Sequence, residues 1–131
     1  MAAEAESADS AVLVFVYGSL KRGQSHHQVL TDGRWQGEAR LAGLALYDLG
    51  PFPMAVPSEE PHSWLQGEIY AVNAKQLEQL DRFEGVPRLY ERQAHALADG
   101  RTAWVYVGRA RQVRHGRRIP SGCWTGPRSA D

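Results

Sequence analysis

The sequence is poor in residues that build disulfides or metal sites. It contains a single cysteine, Cys123. One cysteine excludes a disulfide within the chain and leaves no cysteine pair for zinc, which is typical of a reducing compartment. Of the five histidines, His26 and His27 are adjacent and cannot face one way on a regular element, and the other three lack ligand spacing. We therefore expect no metal and no other cofactor.

Long hydrophobic runs are also missing. No apolar stretch approaches the roughly 20 residues of a membrane-spanning helix. Residues 1–10 are acidic, without the basic start and apolar centre of a secretory signal, and are predicted to be a disordered leader. We expect a soluble, cytoplasmic protein with no membrane partner.

The chain has no excess of either charge, since 15 basic residues balance 15 acidic ones. The net charge therefore creates no overall electrostatic attraction to nucleic acid. The segment 109–118 is rich in arginine but lacks interleaved aromatic residues for stacking bases, and is predicted to be a solvated basic segment. These features favour a small molecule as the partner, and no nucleic acid.

A length of 131 residues suits one domain, predicted over residues 11–125 with residues 126–131 as a C-terminal tail. The four tryptophans and five tyrosines can serve a core or an interface, so the sequence leaves the oligomeric state open.

The apolar run VLVFV, which begins at Val12, ends abruptly at Tyr17, Gly18, Ser19 and Leu20. This pattern predicts a strand buried on both faces, followed by a tight turn. Such a turn can hold an anion, because Gly18 removes the side-chain obstacle, Ser19 offers a hydroxyl, and successive backbone N–H groups can converge on a carboxylate. Most turns of this kind only end a strand.

The remaining strand signals are short. Glycines within Trp35–Tyr47 predict a bent or bulged strand pair. Three prolines within Leu49–Pro57 predict a stiff loop that packs through Phe52 and Met54, with no regular structure. A strand is predicted over Trp64–Val72, and a hairpin over Tyr90–Leu97 and Ala103–Val107.

One helix is predicted over Ala74–Glu84. Asn73 is a natural N-cap with Gln76 three residues on, and Gly85 stands where a helix would stop. At 3.6 residues per turn, Glu84 shares a face with Leu77 and Leu80.

Glu84 is thus an acid on the face that turns to the core. An unpaired buried carboxylate costs several kcal/mol or has a raised pKa, so such a residue has a partner or a use. A structural ion pair or a frayed helix end remains an alternative. Asp81, beside the same face, is predicted to be a local hydrogen-bond partner rather than a second catalyst.

Five short motifs occur in an order that resembles the gamma-glutamylcyclotransferase family. The pattern is closest to the gamma-glutamylamine cyclotransferase branch and its small bacterial relatives, and it covers nearly the whole chain after the leader. The motifs are YGSL at Tyr17–Leu20, FPM at Phe52–Met54, GEIY at Gly67–Tyr70, LDRFEG ending at Gly85, and IPSGCW at Ile119–Trp124.

The resemblance implies an α+β fold, a small mixed β-barrel of about six strands flanked by helices, with a pocket at one side. In that family the YGSL turn grips the gamma-glutamyl group, which maps onto Tyr17, Gly18, Ser19 and Leu20. Glu84 corresponds to the catalytic acid and base, and Tyr90 to a tyrosine that lines the pocket.

The implied reaction releases 5-oxoproline when the alpha-amine of a gamma-glutamyl substrate attacks its own gamma-carbonyl. This reaction needs a proton carrier and a pocket that holds the substrate in a ring-closing conformation, but no enzyme nucleophile. Leu77, Leu80 and Phe83 are expected to supply the apolar surroundings that raise the pKa of Glu84. The rival hypothesis is a binding module that recognises a gamma-glutamyl or similar group without turnover.

Two other functions, a serine nucleophile and a phosphate-binding P-loop, are not supported by the motifs. Ser19 lacks the second glycine of a G-x-S-x-G elbow, and the chain has no GK[ST] for a P-loop. The leaving amine is not specified by the sequence.

Overall fold

The computed structural model of the protein describes residues 11–60 and 62–127. The predicted leader and the last four residues of the predicted tail lie outside the described residues.

A five-stranded sheet forms the larger layer. Its central strand β1 (Val12–Val16) pairs antiparallel with β5 (Trp64–Val72) and parallel with β7 (Thr102–Val107). The outer strands are β2 (Arg34–Ala42), beside β5, and β6 (Glu91–Ala96), beside β7. The end of β1 therefore emerges from the middle of the sheet, between two neighbouring strands.

A three-stranded sheet places β3 (Leu44–Asp48) between β4 (Pro53–Pro57) and β8 (Arg117–Arg118). Helix α1 (Ala74–Phe83) follows β5. Two short 3₁₀ helices, His27–Leu30 and Ala110–Val113, complete the regular structure of the described residues.

The alternating side chains of β1 enter two hydrophobic clusters. Phe15 packs with side chains of both sheets, among them Leu46 of β3. Val14 and Val16 pack in a second cluster that includes Leu80 of α1. Because successive residues of a strand face opposite sides, β1 is buried on both faces, as its apolar run predicts.

The predicted α+β class is confirmed. The described residues form eight strands in two sheets, however, rather than about six strands. No closed barrel is found within residues 11–60 and 62–127, so that detail stays unconfirmed.

The prediction that Leu49–Pro57 has no regular structure is wrong for its second half. Pro53 and Pro57 are the two ends of β4, which is an edge strand of its sheet. Proline is tolerated at such positions because a ladder hydrogen bond is not required from every residue of an edge. Met54 is buried as expected.

The predicted strand pair within Trp35–Tyr47 is also corrected. Two strands and the bulge near Gly37 are present, but β2 pairs with β5 while β3 pairs with β4 and β8. Gly43, with φ of +94°, turns the chain from one sheet to the other.

Helix α1 begins as predicted, with reciprocal hydrogen bonds between Asn73 and Gln76. It ends one residue earlier than predicted, because Glu84 is its C-cap. The β6–β7 hairpin is confirmed. Within the described part of the chain, no helix has the length and apolar character needed to cross a membrane.

Candidate active site

A pocket lies where β1 ends, between the two sheets and the end of α1. Ten residues line it: Phe15, Val16, Tyr17, Gly18, Ser19, Leu20, Pro53, Glu84, Tyr90 and Tyr106. All six residues singled out from the sequence, Tyr17–Leu20 with Glu84 and Tyr90, are among them. Their shared location is thus established, while their chemical roles stay predictions.

The turn after β1 offers backbone donors. The carbonyl groups of Gly18 and Ser19 accept hydrogen bonds from the N–H groups of Lys21 (3.0 Å) and His26 (2.9 Å). The N–H groups of Gly18, Ser19 and Leu20 donate none within the described residues. Consecutive free N–H groups of this kind suit an anion.

Gly18 is required by close packing against β4. A Cβ at this position would lie 2.8 Å from Cγ of Pro53. A side chain here would therefore push the turn away from Pro53.

Glu84 enters the pocket from the end of α1. Its N–H donates to the carbonyl of Leu80 at 2.8 Å, and Gly85, with φ of +68°, turns the chain out of the helix. Glu84 is half-buried, and its carboxyl group has no hydrogen-bond or ion-pair partner among the described residues. Burial raises its pKa from 4.5 to about 8, so Glu84 is largely protonated at neutral pH.

The pocket contains no positive charge, since its lining includes no lysine, arginine or histidine. An anionic group of a ligand therefore has the backbone N–H groups of the turn as its donors. A cationic group has Glu84 and the tyrosine oxygens as its acceptors.

The predicted tyrosines are built into the walls. The hydroxyl of Tyr17 donates to the carbonyl of Tyr106 at 2.6 Å and accepts from the N–H of Ala55 at 3.0 Å. The hydroxyl of Tyr90 donates to the carbonyl of Pro53 at 2.9 Å. Burial raises the pKa of both tyrosines well above the usual value, so both remain neutral.

The expected apolar surroundings of Glu84 are only partly present. Leu80 is buried and Leu77 is half-buried, but Phe83 is 40% exposed and packs against the ring of His26 at 5.2 Å. The expectation for Phe83 is therefore wrong, because the helix turns this side chain outward. Pro53 and three tyrosines, Tyr17, Tyr90 and Tyr106, line the pocket together with Glu84.

Sequence reasoning missed Tyr106 and, as a pocket residue, Pro53. Tyr106 lies on β7, and its hydroxyl donates to Oδ1 of Asp81 at 2.8 Å. Asp81 thus is a hydrogen-bond partner, as predicted, but its partners Tyr106 and Arg92 are distant in sequence rather than local. The FPM motif contains Pro53, but no local pattern marks Tyr106, because its contact joins positions 25 residues apart.

The segment after Glu84 is held by Arg109 and Gln112. Arg109 donates to the carbonyl groups of Pro87 (2.9 Å) and Arg88 (3.2 Å) and pairs with Glu91 at 2.8 Å. Gln112 donates to the carbonyl of Leu89 at 2.8 Å. The arginine-rich segment is therefore partly anchored, which corrects its description as merely solvated.

A larger open cleft of about 430 Å³ is lined by residues of the paired strands β2 and β5 and by the loop residues Lys21, Ala98, Asp99 and Cys123. Its buried acid, Glu68, accepts hydrogen bonds from the N–H of Arg22 and the hydroxyl of Tyr70. None of the six predicted site residues lines this cleft. The pocket at the end of β1 is thus the better candidate for chemistry.

Fold and pocket together define an α+β protein in which a carboxyl with a raised pKa shares a pocket with free backbone N–H groups. Residues 14–126 match the model of the family described as gamma-glutamyl cyclotransferase, AIG2-like. The chain belongs to this family, which confirms the predicted resemblance and supports cyclotransferase activity.

Individual relatives of the chain carry gamma-glutamylcyclotransferase names. A Vibrio cholerae protein with a provisional gamma-glutamylcyclotransferase name is 40% identical over 113 residues, which cover 86% of this chain and 94% of that protein. The gamma-glutamylaminecyclotransferase of Homo sapiens is 43% identical over 91 residues, covering 61% of this chain and 58% of the human protein. The chain thus spans somewhat more than half of the human relative.

A solved structure shares the fold. The crystal structure of an AIG2-like protein from Mus musculus superposes with a TM-score of 0.75 and 26% sequence identity, covering 92% of this chain and 99% of the mouse chain.

Proposed function

We propose that the protein is a gamma-glutamyl cyclotransferase that releases 5-oxoproline and a free amine or amino acid, with Glu84 as the general acid and base. One observation carries the proposal: the Glu84 carboxyl, with a pKa of about 8, shares a pocket with the free N–H groups of Gly18, Ser19 and Leu20. Membership of the gamma-glutamyl cyclotransferase family supports the same reaction.

The turn would hold the gamma-glutamyl group. Its N–H groups can bind the alpha-carboxylate or the oxygen of the gamma-carbonyl, which becomes an oxyanion during the reaction. Because no cationic side chain lines the pocket, these groups and the hydroxyl of Ser19 are the anion donors that the pocket provides. Holding the extended glutamyl chain in a ring-closing pose can supply a large part of the rate enhancement, on the order of 7 to 11 kcal/mol for well-oriented intramolecular reactions.

Glu84 would move one proton in each direction. The carboxylate takes a proton from the alpha-ammonium, and the free amine then attacks the gamma-carbon to form a tetrahedral intermediate. The Glu84 carboxyl next gives this proton to the leaving nitrogen, the gamma-carbonyl re-forms, and the bond between the gamma-carbon and the leaving nitrogen breaks. The second proton of the attacking nitrogen passes to the released amine, which departs as an ammonium, and Glu84 is again a carboxylate. No enzyme nucleophile and no cofactor takes part.

The raised pKa suits this role. A proton carrier works best when its pKa lies close to the operating pH, and burial brings the pKa of Glu84 from 4.5 to about 8. A bound alpha-ammonium next to the carboxyl would favour the charged form and so prepare Glu84 to act as a base.

A substrate panel tests the function and its leaving group. Release of 5-oxoproline would be measured with gamma-glutamyl amino acids, gamma-glutamyl amines and epsilon-gamma-glutamyl-lysine. We expect release from at least one class by the intact protein, and a loss of about 1,000-fold or more in Glu84→Gln, since an amide carries no proton between the two nitrogens.

Glu78→Gln is the matched control, because Glu78 is exposed on the same helix. It should retain full activity. If the intact protein binds gamma-glutamyl ligands but releases no 5-oxoproline from any of them, the proposal is wrong and the protein is a binding module.

A further inference from the structure

Asp81 lies three residues before Glu84 on α1 and connects the helix to the five-stranded sheet. Its Oδ1 atom accepts one hydrogen bond from Nε of Arg92 and one from the hydroxyl of Tyr106, both at 2.8 Å. Arg92 and Tyr106 are paired across β6 and β7, and the guanidinium group of Arg92 also lies 4.2 Å above the ring of Trp104. The position of Asp81 is thus fixed from two strands.

The hydrogen bond to Asp81 decides what Tyr106 can offer a ligand. A phenol has one proton, and Tyr106 donates it to Asp81. The hydroxyl oxygen keeps its capacity to accept. Burial and the bond to Asp81 both raise the pKa of Tyr106, so this residue stays neutral.

Tyr106 also connects Asp81 to the turn after β1. Its carbonyl accepts the hydrogen bond from Tyr17, whose backbone leads directly into Gly18. In addition, the carbonyl of Asp81 accepts from the N–H of Val86 at 3.0 Å, next to the turn that follows Glu84. Hydrogen bonds therefore connect Asp81 both to the chain just after Glu84 and, through Tyr106, to the turn after β1.

We propose that Asp81, held by Arg92, is a positioning residue that orients Tyr106 so that the phenol oxygen accepts a hydrogen bond from the alpha-amine of the substrate. This inference rests on the proposed cyclotransferase function. An attacking amine must aim its lone pair at the gamma-carbon, and an acceptor for one of its N–H groups fixes that direction. Tyr106 would contact the substrate, whereas Asp81 acts through Tyr106.

The test compares Asp81→Asn, Tyr106→Phe and the double variant in steady-state release of 5-oxoproline. Asp81→Asn keeps the size of the side chain, while its amide can compete for the Tyr106 oxygen. We expect kcat to fall about 10- to 100-fold in either single variant, because misplacement of a reacting group acts mainly on the chemical step. KM should change much less, within about threefold.

The double variant distinguishes positioning from a general structural role. If Asp81 acts through the Tyr106 hydroxyl, then Asp81→Asn should change kcat by less than about twofold once that hydroxyl is absent. An equal loss in both backgrounds would contradict the proposal. Tyr106→Phe removes only an oxygen, so unchanged kcat in this variant would also contradict it, even if Asp81→Asn failed to fold.

Asp99→Asn is the matched control. Asp99 also pairs with an arginine at 2.8 Å, Arg101, but in the exposed turn between β6 and β7. Its loss should leave kcat unchanged. If the intact protein releases no 5-oxoproline at all, the proposed function fails and this inference with it, whereas an active intact protein with unaffected variants overturns this inference alone.

Discussion

At the scale of single residues, Glu84 is a side chain whose environment opposes its charge. The residue is half-buried, its carboxyl has no partner among the described residues, and its pKa is about 8 as a result. A fold that keeps such a group gives up stability whenever the group ionises. This cost can be measured independently of any activity.

We predict that Glu84→Gln stabilises the protein relative to the wild type as the pH rises. Between pH 4.5 and about 8 the unfolded chain loses the Glu84 proton while the folded protein keeps it, so the free energy of unfolding of the wild type falls across this range. Gln does not titrate. The difference between the two proteins should therefore grow by up to a few kcal/mol.

Urea unfolding at pH 4.5, 6 and 8.5 would measure this difference, with Glu78→Gln as the exposed control. A constant difference across these pH values would show that Glu84 is not desolvated in the folded protein.

The pocket residues differed in how well sequence could predict their positions. Glu84 was accessible because helical periodicity places it on the buried face next to Leu80, and because the LDRFEG motif carries it. Tyr106 was not, since its importance comes from contacts with Asp81 and Tyr17 that only the folded chain creates. The expectation that Phe83 surrounds Glu84 is wrong because a helical wheel shows the direction of a side chain but not whether a neighbouring element covers it.

At the scale of elements, the segment between α1 and β6 decides how firmly Glu84 and Tyr90 are held. Residues 85–90 contain no helix or strand, and side chains from the arginine-rich segment hold their carbonyl groups. This contact gives Arg109 a function in the architecture of the pocket.

We predict that Arg109→Ala loosens this segment with little loss of overall stability. Its partly exposed ion pair with Glu91 contributes about 0.2 to 1 kcal/mol, but its bonds to Pro87 and Arg88 restrain the backbone next to the pocket. Hydrogen exchange should become faster for residues 85–91, and kcat/KM should fall several-fold.

Arg111→Ala is the control for Arg109→Ala, since Arg111 is exposed in the same segment. Unchanged exchange of residues 85–91 in Arg109→Ala would contradict the anchoring role.

Elements with local signals were predicted well. The capping box of Asn73 and Gln76 gave the start of α1, and Gly85 gave its end to within one residue. Strand β4 has no local signal, because its prolines are compatible with a strand only at a sheet edge and the sequence does not show which strands form the edges. The partners of β2 and β3 were wrong because strand pairing depends on contacts distant in sequence.

At the scale of the whole molecule, Tyr17 joins the two sheets at the pocket. Its hydroxyl bonds to the carbonyl of Tyr106 on β7 and to the N–H of Ala55 on β4. The residue was predicted to grip the substrate, and the contacts of its hydroxyl point to a structural contribution as well. Sequence could not reveal this bridge, because it requires the arrangement of both sheets.

We predict that Tyr17→Phe lowers the free energy of unfolding by about 1 to 3 kcal/mol, since it leaves the buried N–H of Ala55 without a partner. Chemical denaturation would measure the effect. Tyr47→Phe on β3, which removes a hydroxyl from a half-buried ring, is the control. Equal stability of Tyr17→Phe and wild type would mean that the bridge does not hold the sheets together.

The central claim is that Glu84 carries the proton in a cyclisation that the pocket shapes. The most direct measurement is binding of a gamma-glutamyl substrate and release of 5-oxoproline in the same Glu84→Gln preparation. The claim predicts that binding stays within about tenfold of the wild type while release falls about 1,000-fold or more. Release at the wild-type rate in Glu84→Gln would contradict it.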